Sequence, residues 1–122
     1  MSKFVIRAVS TGLKFDLRAG NGEPVAASEV YETRAACLRG IDSVRRNAPR
    51  AALEDQTGAA WKRVANPKFE LYRDKSGAYR FRLKARNGAV IAVSGGYGGK
   101  AACLAGINCV RINAPAAEIE DG

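Results

Sequence analysis

The chain contains a near-copy of itself. "FDLRAGNGEPVAASEVYETRAACLRGIDSVRRNAPRAALED" starts at Phe15 and "FRLKARNGAVIAVSGGYGGKAACLAGINCVRINAPAAEIED" starts at Phe81, an offset of 66 that holds throughout. About half the aligned positions are identical. Upstream, "KFVIR" at Lys3 matches "KFELY" at Lys68 with an offset of 65, so the first turn of repeat 1 is one residue shorter. Two copies are too few for a solenoid, and each is too short to bury much core alone. The expectation is one domain with an internal pseudo-twofold: repeat 1 (3–56), a linker (57–67) and repeat 2 (68–122). Gly58, Asn66 and Pro67 mark the linker.

Repeat 2 shows the local pattern more cleanly. Phe69 and Leu71 alternate with Glu70 and Tyr72, the period of a half-buried strand. "DKSG" and "RNG" predict three-residue hairpin loops with Gly77 and Gly88 in the left-handed region. The strands between and after them are Tyr79–Ala85 and Ala89–Ser94. Three-residue loops set Phe69 opposite Leu83 and Leu71 opposite Phe81. They also set Leu83 opposite Ile91 and Phe81 opposite Val93, so every pair on one face is apolar. The other face then pairs Glu70 with Arg82 and Tyr72 with Arg80. A helix follows, with Thr33 as the N-cap in repeat 1. Its inner face is Cys37, Gly40, Ile41 and Val44, and in repeat 2 Cys103, Gly106, Ile107 and Val110. A glycine in mid-helix costs about 1 kcal/mol against alanine, so its recurrence points to a close approach. "NAP" predicts the helix end, with Asn47 and Asn113 as left-handed C-caps. A short strand carrying Leu53 or Ile119 closes each repeat.

The pattern "KFELYRDKSGAYRFRLKARNG…VSGGY…KAACLAGINCVRINAP" resembles the YegP-like family, small proteins built from one or two copies of this motif. The likeness covers nearly the whole chain except the linker. Repeat 1 departs from it in "RAVSTGLKFD", which lacks the acidic-basic-Gly turn and the Arg-rich second strand. The resemblance implies an α+β fold: one antiparallel sheet with two helices on one face, the repeats exchanging their C-terminal strands. It implies further that a two-copy chain mimics a dimer of single repeats and is a monomer. It supplies no catalytic residues and no cofactor.

Composition narrows the chemistry. The chain has no histidine, which removes the commonest general base and a common metal ligand together. Its three cysteines lack a zinc-like spacing. No catalytic, cofactor or metal site is expected. No apolar run is long enough to span a bilayer, and a reducing cytoplasm is the expected compartment. The net charge of +8 favours anionic partners. It divides into +2 for residues 1–56, +2 for the linker and +4 for repeat 2.

Two places carry candidate binding residues. Arg80, Arg82, Lys84 and Arg86, with Tyr72, form a basic ladder on the face of the sheet away from the helices, a surface suited to nucleic acid. Against that reading stand a single exposed aromatic and the neutralising Glu70. "GGYGGKA" places Gly98, Gly99 and Lys100 at a helix N-terminus, where an anion can bind. It is not a phosphate-binding loop of the nucleotide-hydrolysing kind, because Ala101 stands where a hydroxyl would hold Mg²⁺. Cys37 and Cys103 read as small buried hydrophobes, the acidic pairs Glu54-Asp55 and Glu120-Asp121 as solvated strand ends, and Trp61 as an anchor of the linker. The resulting expectation is a non-catalytic interaction module whose partner is an unknown protein or another anionic molecule. Sequence-tolerant nucleic-acid binding is the alternative, and an enzyme is disfavoured.

Overall fold

The computed structural model describes residues 1–122. Repeat 1 contributes β1 (Lys3–Val9), β2 (Gly12–Arg18), β3 (Pro24–Ala27), α1 (Arg34–Asn47) and β4 (Ala52–Asp55). Repeat 2 contributes β5 (Lys68–Arg73), β6 (Tyr79–Lys84), β7 (Val90–Val93), α2 (Lys100–Asn113) and β8 (Glu118–Asp121). All eight strands join one sheet in the order β4-β5-β6-β7-β3-β2-β1-β8. The pseudo-twofold passes between β7 and β3, where Ala27 pairs with Val93, its own counterpart at the repeat offset.

The C-terminal strands are exchanged. β4 lies beside β5 and β8 beside β1, both parallel, while the six inner strands are antiparallel. Each exchanged strand is tied to the helix of the other repeat. Lys100 meets Asp55 at 2.5 Å and Arg34 meets Asp121 at 3.0 Å. Just before those strands, Arg111 donates to the Ala51 carbonyl at 2.8 Å and Arg45 to that of Ala117. The same two guanidinium groups sit over the rings of Phe69 and Phe4.

The core lies between the sheet and the two helices. Phe4, Phe15, Phe69 and Phe81 are fully buried, each worth about 1.5–3 kcal/mol by area. Phe4 packs edge-on against Phe15, and Phe69 against Phe81. Tyr31 and Tyr97 stack beyond them and account for the helical glycines. A Cβ on Gly40 or Gly106 would lie 2.3 Å from the hydroxyl oxygen of Tyr31 or Tyr97. The expected inner faces hold: Cys37, Gly40, Ile41 and Val44 are buried, as are Cys103, Gly106, Ile107 and Val110. Thr33 caps α1 by accepting from Ala36 N–H at 3.1 Å.

Two expectations need correction. Phe69 does face Leu83 and Leu71 does face Phe81, and Gly77 and Gly88 do take positive φ. Leu83, however, pairs with Ala92 rather than Ile91, because a bulge between Leu83 and Lys84 shifts the register. Phe81 therefore meets Ser94 and not Val93: its N–H donates to Ser94 Oγ and its carbonyl accepts from Ser94 N–H, both at 2.9 Å. Pairing apolar side chains alone overlooked that hydroxyl. Phe15 and Ser28 repeat the arrangement. Asn47 and Asn113 are also not left-handed caps. Both remain right-handed, and the chain runs on into a 3₁₀ turn with proline near its start. Their amides bond back to the carbonyls of Ser43 and Cys109 instead.

Candidate functional site

The basic ladder of β6 is already occupied by carboxylates of its own repeat. Glu70, buried on β5, pairs with Arg82, with Lys84 at 3.4 Å and with Lys68 at 3.3 Å. Burial raises its pKa, but these cations outweigh burial and lower it on balance. Arg80 reaches Asp74 at 2.5 Å. Tyr72 lies opposite Arg80, as expected, yet it is Arg82 whose guanidinium sits over its ring, 4.5 Å from the centroid. Cation and aromatic face thus engage each other, and this geometry leaves little of either for a stacked base.

The linker adds a second restraint. It folds across the open face of the sheet beside β4, where Val64 N–H donates to Glu54 Oε2 at 2.7 Å. Glu54 is 1% exposed, so the expectation that it is a solvated strand end was wrong. Its carboxylate also takes Lys68 Nζ at 2.6 Å and Gln56 Nε2 at 2.7 Å. Burial pushes its pKa up, and these donors outweigh burial to hold it at about 2. Lys68 is raised, chiefly by its bond to Glu54. Trp61, Arg63 and Val64 of the linker line a cavity of about 490 Å³ with these groups. Trp61 is 43% exposed there.

At the start of α2, Gly98 and Gly99 border open space, and Gly99 makes no side-chain cap. Lys100 already holds a carboxylate, that of Asp55, whose pKa falls to about 2 through this contact and the Thr57 hydroxyl. Cys37 and Cys103 are fully buried, and burial raises both thiols, Cys103 to about 11. A thiol so raised is a poor nucleophile at neutral pH.

Arg86 stands apart from the ladder. It lies in the β6–β7 turn and lines a cavity of about 640 Å³ with Ser43, Arg46, Asn47 and Arg50 of repeat 1 and with Asn66 and Pro67 at the end of the linker. Ala85 and Asn87 complete it. No carboxylate lines it. Sequence reasoning missed this place because its arginines are distributed over two repeats. The available signal was that Arg46, Arg50 and Arg86 all break the repeat, their counterparts being Ile112, Ala116 and Gly20.

A domain of unknown function, DUF1508, matches residues 10–55 and again 74–121. The chain belongs to this family. A UPF0339 protein of Pseudomonas aeruginosa is 34% identical over 98% of the chain and 96% of its own length. One from Treponema denticola is 62% identical over 52 residues, 43% of this chain but 90% of that protein, so it is about one repeat long. The solution structure of yegP from Escherichia coli, titled a protein of unknown function, superposes with a TM-score of 0.80 at 28% identity, covering 99% of this chain and 92% of that one. The DUF1508 match omits the whole linker and the first strand of each repeat. The buried Lys68 and Glu70 and the groove residue Asn66 therefore lie outside the matched segments.

Proposed function

We propose that this DUF1508 protein is a small cytoplasmic, non-catalytic binding module whose partner is anionic. One observation carries the reading. Eight of the twelve carboxylates are in ion pairs, whereas ten of the twenty Lys and Arg side chains are in none. Arg45, Arg73 and Arg111 among those ten bond backbone carbonyls, and the other seven remain available to an external anion. The non-catalytic part is supported by the thiols that burial protonates and by carboxylates committed to structural partners.

Affinity capture from a native lysate, with and without nuclease, tests this reading. Bound anionic material that survives nuclease is the expected outcome. Loss of all bound material on nuclease treatment would replace the reading with nucleic-acid binding, which the self-paired ladder does not favour. A turnover screen that found an activity lost on changing one cavity residue would overturn the non-catalytic part.

A further inference from the structure

The groove between the end of α1 and the β6–β7 turn is rich in side-chain donors and lined by no carboxylate. Arg46, Arg50 and Arg86 bring three guanidinium groups to it, and Asn66 and Asn87 bring side-chain amides. Asn87 already uses its carbonyl oxygen to accept from Ala89 N–H at 3.0 Å, which leaves its N–H₂ free to donate. Arg46 holds Asp42, but both side chains are mostly exposed, at 70% and 63%, and such a surface pair is weak. Three cations around one cavity with no lining carboxylate repel one another unless an anion joins them.

The helix end does not explain them. Cations do favour a helix C-terminus. Yet α2, of the same length, keeps only Arg111, the counterpart of Arg45, and has Ile112 and Ala116 in place of Arg46 and Arg50. Arg86 belongs to no helix and replaces Gly20. All three arginines thus stand at only one of two equivalent places. The site is also braced. Asn47 donates to Ser43 and accepts from Arg86 N–H at 3.3 Å, which ties the helix of one repeat to the turn of the other.

We propose that this groove binds a small phosphorylated compound. The proposal rests on the reading of the protein as an anion-binding module and names its site. Guanidinium groups bind phosphate and carboxylate oxygens in paired bonds, and amide donors suit the remaining acceptors. The volume of about 640 Å³ matches a metabolite. No aromatic side chain lines the groove, which argues against a stacked nucleobase.

The test is a titration of the whole chain followed by amide NMR at fixed ionic strength, with inorganic pyrophosphate and separately with citrate. Saturable shifts at Asn47, Arg86 and Gly88, with pyrophosphate tighter than citrate, are expected. The double variant Arg50→Gln/Arg86→Gln is expected to weaken binding about tenfold or more. Arg39→Gln/Lys75→Gln removes the same charge elsewhere and is expected to leave binding unchanged. All four side chains are exposed, and dispersed spectra will show that the variants fold. Equal weakening by both double variants would overturn the site while leaving the module reading standing. Citrate binding tighter would overturn the phosphate assignment, and an oligonucleotide binding there more tightly than pyrophosphate would overturn the small-molecule class. No saturable shift with any anion would overturn both readings.

Discussion

Glu54 and Glu120 are equivalent by sequence, each the third residue of an exchanged strand, and the fold treats them oppositely. Glu54 is 1% exposed, bonded to Lys68, Gln56 and the Val64 backbone. The Glu120 side chain is 54% exposed and meets Lys3, the counterpart of Lys68, at 3.3 Å. The strands themselves match, pairing Glu54 with Glu70 and Glu120 with Val5. The difference comes from the linker, which covers one end of the sheet, and from Val5, which supplies no charge where Glu70 does. A repeated sequence therefore sets a repeated backbone, and the non-repeated segment decides which copies of its charges leave water.

The largest expected effect breaks that contrast directly. Lys68→Met leaves Glu54 and Glu70 buried without their shared cation and is expected to cost about 3–5 kcal/mol in urea unfolding. Lys3→Met removes an exposed partner and is expected to cost less than about 1 kcal/mol. If the two costs were equal, burial by the linker would not be what distinguishes the ends.

Acid should reveal the same asymmetry. The folded pKa of Glu54, about 2, lies below its unfolded value. Its stabilisation is therefore present above the unfolded value near pH 4.5 and is lost as pH falls toward 2. Glu70 and Asp55 shift in the same direction. Unfolding free energy measured from pH 6 to pH 2 should fall by a few kcal/mol in the parent. It should fall less in Glu54→Gln.

Next come positions where the twofold is intact. Gly40→Ala and Gly106→Ala each push a Cβ against a tyrosine ring wedged beside a buried phenylalanine. Each is expected to cost about 1–3 kcal/mol, despite the better helix propensity of alanine, and the two costs should agree. Unequal values would show that the repeats differ in packing as well as in charge.

The smallest change in stability should come from copying the groove across the axis. Ile112→Arg with Ala116→Arg alters exposed side chains and is expected to shift stability by less than about 0.5 kcal/mol. In the pyrophosphate titration it should create a second set of shifting amides, near Asn21 and Asn113. If no second set appeared, Arg86 and the linker asparagine would be indispensable to the first.

Much of the fold was legible because repetition doubles every signal. The glycine at the same helical step twice, the Thr33 cap and the hairpin glycines each follow from local chemistry and appear as expected. The register of β7 was not legible, since apolar matching cannot show that Ser94 bonds Phe81 across a bulge. The ladder of Arg80, Arg82 and Lys84 was visible as a stripe, but its neutralisation depended on how Glu70, Asp74 and Tyr72 reach across strands.

By itself the sequence determined the two-repeat plan, the strand and helix faces, and the surplus of basic charge. Those properties depend on the order of neighbours along the chain, where periodicity and turn chemistry act. Only the tertiary structure decided that Glu54 is buried while Glu120 is not, and that Arg46, Arg50 and Arg86 share one groove. Both outcomes depend on the linker crossing the sheet and on one repeat meeting the turn of the other. Such contacts join residues far apart in the chain, and electrostatic energy depends on distance and burial in space rather than on position in sequence.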